Sequence, residues 1–145
     1  MNILVFDCEV YGIEYVLWRA TDNTVLARGD VTGVGTRSAM LRHHLGSQSP
    51  HQLVAEKATC RDAIKWVMST LTDPKIGAIG DQSEISAVGY RVTHGANKYS
   101  KPVLIDSEVM DDIADFAEFA PKHNPYNLDG IRAVRAREHT RYRIL

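Results

Sequence analysis

Three short stretches of this sequence carry side chains suited to chemistry on an anion or a metal ion. The first is Ala87-Val88-Gly89-Tyr90-Arg91-Val92-Thr93-His94-Gly95, an apolar run that ends in an arginine and then turns. A guanidinium at the end of a buried-looking strand is costly without an anionic partner, and its planar fork can clamp two oxygens at once. Two readings of Arg91 are open at this point: an ion pair with a nearby Asp or Glu, or a site for an external anion. The second stretch is Phe6-Asp7-Cys8-Glu9, whose two carboxylates at i and i+2 can face one side of a strand and bind a divalent ion. The third is Lys122-His123-Asn124-Pro125, where the histidine either touches a ligand or makes a structural hydrogen bond before a helix. Cys8 and Cys60 have no CxxC or metal-ligand spacing and read as free thiols. His43-His44 has no third ligand nearby and reads as solvated surface.

The elements that must position these groups follow from periodicity. Ile3-Leu4-Val5-Phe6 is a continuous apolar run of the kind buried on both faces of a central strand. A turn near Tyr11-Gly12 leads into a second strand over Ile13 to Ala20. Asp22-Asn23 turns the chain into a third strand over Thr24 to Val31, so the three form an antiparallel meander. Gly33 to Pro50 is polar and reads as irregular, and His51 to Lys57 reads as a short strand. Thr59 or Asp62 caps a helix to about Leu71, with Ala63, Ile64, Val67, Met68 and Leu71 on one face. The Arg91 strand comes next, and its Gly89 admits close approach of another backbone or a ligand. Asp106 or Ser107 caps a helix with Val109, Met110, Ile113, Phe116 and Ala117 inward, and Pro121 stops it. Asn124 then serves as N-cap, with Pro125 at the first helical position and Leu128, Ile131 and Val134 along one side.

Composition narrows the class. A chain of 145 residues, 44% hydrophobic and 24% charged, is ordinary for one soluble globular domain. Its net charge of -1 argues against general attraction to nucleic acid or membrane. The last fourteen residues hold five arginines and one glutamate, which reads as a solvated, frayed end. There is no apolar run of about 18 residues and no signal-peptide pattern, so the expected location is cytoplasmic.

The segment from Ile85 to Ile131 closely resembles the first domain of the acetate kinase family. The match runs through the Arg91 stretch, Val103-Leu104-Ile105-Asp106, Ala120-Pro121-Lys122-His123-Asn124-Pro125, Asn127-Leu128 and Gly130-Ile131, in the family's order and at similar spacing. Met1 to Ala27 and Asp62 to Gly77 match more loosely, and the whole covers less than half of a typical member. The resemblance implies a ribonuclease-H-like α/β domain of the actin-like ATPase superfamily spanning residues 1–145. It further implies phosphoryl transfer between ATP and acetate with Mg2+, acetyl phosphate as product, and a second, nucleotide-binding domain. By position, Arg91 is the arginine near acetate and the transferred phosphoryl group. Thr93 and Lys122 stand where apolar residues line the methyl pocket, His123 sits at the active-site edge, and Asp7 is the candidate magnesium ligand. Where the family has Asn-Cys-Gly-Ser-Ser-Ser-x-Lys, this chain has Asp7, Cys8, Glu9, Val10, Tyr11, Gly12, Ile13 and Glu14. The expectation is therefore an acetate-kinase-type N-terminal domain, inactive alone and completed by a second-domain chain. The alternatives are an anion-binding or partner-binding module and a metal-dependent nuclease. The fold's last strand is expected to be missing after Val134, leaving an open edge on the Arg91 strand that favours a homodimer.

Overall fold

The N-terminal apolar run forms β1 (Asn2–Glu9), which a two-residue loop, Val10-Tyr11, joins to the antiparallel β2 (Gly12–Arg19). The computed structural model describes residues 1–135, together with the backbone of a strand at 141–144. The antiparallel order continues through β3 (Thr24–Thr32), β4 (Ala39–Leu45) and β5 (His51–Ala55). On the other side of β1 lies β6 (Ile85–Arg91), parallel to it, and β7 (Arg141–Ile144) runs parallel to β6. One mixed sheet results, in the order β5-β4-β3-β2-β1-β6-β7.

Three helices cover one face of this sheet. Leu4, Phe6 and Cys8 of β1, Ile13, Tyr15 and Leu17 of β2, and Val88 and Tyr90 of β6 are buried. Each large apolar side chain among them contributes roughly 1.5–3 kcal/mol. Against them pack α1 (Cys60–Leu71) and α3 (Asn124–Arg135), with α2 (Ser107–Asp115) leaning on α3. The helical spacing is fulfilled in α1, where Ala63, Ile64, Val67, Met68 and Leu71 are all buried. Its start is a capping box: the Thr59 hydroxyl accepts from the Asp62 amide at 3.2 Å, and the Asp62 carboxylate accepts from the Thr59 amide at 3.0 Å. Asp106 caps α2 by accepting from the Val109 amide at 2.9 Å. No described helix is long and apolar enough to cross a membrane.

Four expectations are corrected. β1 is not equally buried on both faces: Leu4 and Phe6 are enclosed while Ile3 and Val5 are only half-buried, because the helices lie on one side. The stretch expected to be irregular contains β4, whose Ala39, Leu41 and His43 alternate inward. The expected missing strand is present as β7. A charged sequence is unsuited to a central strand but is what a sheet edge tolerates, since charges there discourage pairing with other chains. β7 closes the expected open edge of β6 and removes the ground for a homodimer built on it; Gly89 lies between Val5 and Arg143. As for the solvated tail, residues 136–140 and 145 lie outside the described residues.

His43 is the fourth correction, being fully buried rather than solvated. Its Nε2–H donates to the Ile76 carbonyl at 2.9 Å, and its Nδ1 accepts from the Tyr15 hydroxyl at 2.6 Å. The neutral ring satisfies both partners, whereas a protonated ring would aim a second N–H at the tyrosine oxygen. Burial pulls the His43 pKa below its usual value, partly offset by the Ile76 carbonyl. The unfolded chain therefore takes up this proton first, so stability falls as pH drops through the ordinary histidine range near about 6.5. Urea titrations at pH 7.5 and 5.5 should show wild type losing more stability than His43→Gln. Equal losses would exclude His43 as the source.

Candidate functional site

The carboxyl ends of the parallel strands β1 and β6 bring Asp7, Glu9 and Arg91 together on the sheet face opposite the helices. Asp7 and Arg91 are direct neighbours in register. The Arg91 guanidinium donates from Nη1 to Asp7 Oδ2 at 3.0 Å and lies 3.8 Å from Glu9 Oε1. Arg91 is not buried as its strand suggested: it stands on the sheet face that the helices leave uncovered, and 61% of its side chain is exposed. The first of the two readings of Arg91, an ion pair with a nearby acid, is thus the state observed. Exposed pairs of this kind contribute only about 0.2–1 kcal/mol, so the arginine can exchange Asp7 for a better anionic partner at little cost.

His123 completes the group from the start of α3. Its Nδ1–H donates to Glu9 Oε2 at 2.6 Å, so Glu9 links His123 to Arg91 across the ends of the strands. Thr93 and Lys122 are exposed, on the loop after β6 and on the turn before His123 respectively.

Two asparagines that the sequence reading assigned no site role hold this arrangement. Asn127 is buried on α3; its Nδ2 donates to the Cys8 carbonyl at 2.6 Å and its Oδ1 accepts from the Thr93 amide at 3.1 Å. Asn124 does not spend its side chain on capping α3. Its Oδ1 accepts from the His94 amide at 3.2 Å and its Nδ2 donates to the His94 carbonyl at 3.0 Å. Together they bolt α3 to β1 and to the backbone that follows Arg91. Their i, i+3 spacing on the same face as Leu128 and Ile131 was the available signal.

Cross-strand register also lines up a row of charges that spacing could not reveal. Arg91, Asp7, Glu14, Asp30 and Arg42 are successive partners across β6, β1, β2, β3 and β4. Arg42 forms a bidentate pair with Asp30, using Nε and Nη2 at 3.1 Å each. Exposed Glu14 stands between the two arginine-paired acids, and a shallow cleft of about 220 Å3 runs along the row beside Gly12 and Thr32.

The residues present do not fit a resident magnesium ion. Asp7 Oδ2 accepts from Arg91, its Oδ1 is buried without a hydrogen-bond partner, and Glu9 Oε2 accepts from His123. Among the described residues no group of three or more His, Cys, Asp or Glu could hold a metal. Nor does the β1–β2 turn fit a polyphosphate, because Asp7, Glu9 and Glu14 surround it with negative charge.

Comparison with known proteins supplies the context for this geometry. The model of the Acetokinase family matches residues 2–140. An acetate kinase of Clostridium novyi is 38% identical over 135 residues, which is 93% of this chain and 33% of that protein. One from Clostridium kluyveri is 40% identical over 136 residues, again 33% of its length. The crystal structure of Porphyromonas gingivalis acetate kinase superposes with a TM-score of 0.95 at 30% identity, covering 99% of this chain and 36% of that one. The chain thus spans about a third of the length of these relatives and is similar to their N-terminal part, with the fold that the sequence implied.

Proposed function

The chain belongs to the acetokinase family, and from that membership we propose that it forms the N-terminal, acyl-phosphate-binding part of an acetate-kinase-type phosphotransferase. The observation that carries this reading is Arg91, half-free at the carboxyl ends of two parallel strands beside the start of α3. Its planar fork suits two oxygens of acetyl phosphate or of the phosphoryl group passing to acetate. Asp7 and Glu9 act as internal stand-ins for that anion, and His123 positions Glu9. Thr93 and Lys122 make the acyl end of the site more polar than a methyl pocket. We assign ATP and magnesium to the two thirds of the relatives' length that this chain does not span, or to a complementary chain. The 145 residues alone are then expected to bind an acyl phosphate weakly and to transfer nothing. The nuclease reading is not favoured, because Arg91 and His123 occupy the carboxylates it would need.

Titration calorimetry with acetyl phosphate tests this. Asp7→Asn and Glu9→Gln should each tighten binding on the order of tenfold, the size expected from removing one nearby like charge near a protein surface. Arg91→Ala should abolish binding. If neither carboxylate variant binds better and Arg91→Ala binds as well as wild type, the anion site is elsewhere. Acetate-dependent hydroxamate formation by the wild-type chain alone would overturn the assignment of ATP.

A further inference from the structure

The two cysteines, 52 positions apart in sequence, come against the same part of α3. Cys8 is buried on β1 with its sulfur against α3, so close that a Cβ on Gly130 would collide with it. Cys60 is the first residue of α1 and lines a cleft with Asp129, the neighbour of Gly130, so both cysteines lie against the same turn of α3. Cys60 is only partly buried. It opens on a cleft of about 250 Å3 that Arg61, Asp129 and Arg132 also line. One sulfur is therefore reachable from solvent and the other is sealed behind it, the arrangement of an attacking and a resolving thiol.

We propose that Cys60 and Cys8 form a reversible disulfide when the protein meets a peroxide. The Cys60 thiolate attacks one peroxide oxygen, the O–O bond breaks, and the departing hydroxide takes a proton to leave as water. Cys60 is now a sulfenic acid. The Cys8 sulfur attacks the Cys60 sulfur, the S–O bond breaks, and the leaving hydroxide carries off the Cys8 proton as a second water. Two thiols are oxidised and one peroxide is reduced to two waters. The neighbouring Cys8 thiol and the amino end of α1 favour the Cys60 thiolate, against its partial burial and the nearby Asp129 charge. Cys8 is held as the thiol by the neighbouring Cys60 and by burial. Its neighbours in sequence are Asp7 and Glu9, so drawing the sulfurs together to about 2.05 Å pulls on the strand end that faces Arg91.

The experiment treats the intact chain with equimolar hydrogen peroxide, alkylates with iodoacetamide and maps the peptides by mass spectrometry. Both cysteines should lose their label together, appear as one Cys8–Cys60 linked peptide pair, and regain the label after dithiothreitol. Cys8→Ser should stop at a Cys60 sulfenic acid that dimedone traps, and Cys60→Ser should leave Cys8 reduced. The proposal is overturned if both wild-type thiols stay labelled, if Cys60 proceeds to sulfinic acid while Cys8 remains free, or if the linkage joins two chains.

Discussion

Replacing Asn127 by alanine should lower the unfolding free energy by roughly 2–5 kcal/mol, a large fraction of what a domain of this size possesses. The side chain is almost fully enclosed, and both ends of its amide serve backbone groups, the Cys8 carbonyl and the Thr93 amide. Alanine leaves the Cys8 carbonyl without this partner in a buried place and the Thr93 amide in a half-buried one. Each such orphan costs about 1–3 kcal/mol, more than the net worth of the bond itself. Asn97→Ala, on the exposed loop, should change stability by less than about 0.5 kcal/mol. Urea unfolding of the two variants makes the comparison. A loss below about 1 kcal/mol for Asn127→Ala would mean that the groups it serves find other partners.

Gly29→Ala should be comparably damaging, by about 3 kcal/mol or more, and for a steric reason. A Cβ at Gly29 would collide with the Arg42 carbonyl oxygen and lie 2.6 Å from the Tyr15 hydroxyl oxygen. The first atom belongs to backbone paired between β3 and β4, and the second is fixed by its bond to His43. Neither can swing away like the tip of a flexible chain, so the strand pair or the Tyr15–His43 bond must give. Overpacking of this kind typically costs about 1–3 kcal/mol, and loss of a buried hydrogen bond adds to it. Gly35 is the control. Its φ of +78° disfavours alanine, but nothing lies within 4 Å of a Cβ there, so the loss should stay near about 1 kcal/mol. Thermal unfolding of both variants checks the ranking, and equal losses would refute the steric argument.

The helices were legible because their signals are local. Thr59 with Asp62 three residues on, and Asp106 three residues before Val109, announce helix starts that need no knowledge of the rest of the chain. Strand β4 was hidden because its alternation passes through a histidine. Ala39, Leu41 and His43 point inward in period two, but Arg42-His43-His44 reads as polar until Tyr15 is known to wait for the ring. β7 was hidden because its charged sequence resembles a solvated tail, and only its place at the sheet edge makes it a strand. Arg91, His123 and Asp7 stand out in the sequence by residue type as well as by family resemblance. What escaped was their pairing, because Asp7 to Arg91 and Glu9 to His123 depend on register between strands and helices far apart in sequence.

That distance has a kinetic consequence. β1 to β5 join neighbour to neighbour through short connections, so the first 55 residues can pair with little loop-closure entropy. The contacts that make the site are of another order, separated by 84 residues for Asp7–Arg91, 114 for Glu9–His123 and 119 for Cys8–Asn127. Contacts of high sequence separation form late, since the chain must be closed over its whole length before they stabilise anything. During synthesis β1 therefore waits, paired on one side only, until β6 and α3 have emerged. The cluster around Arg91 thus forms only after the β1–β5 meander, once β6 and α3 have docked on β1.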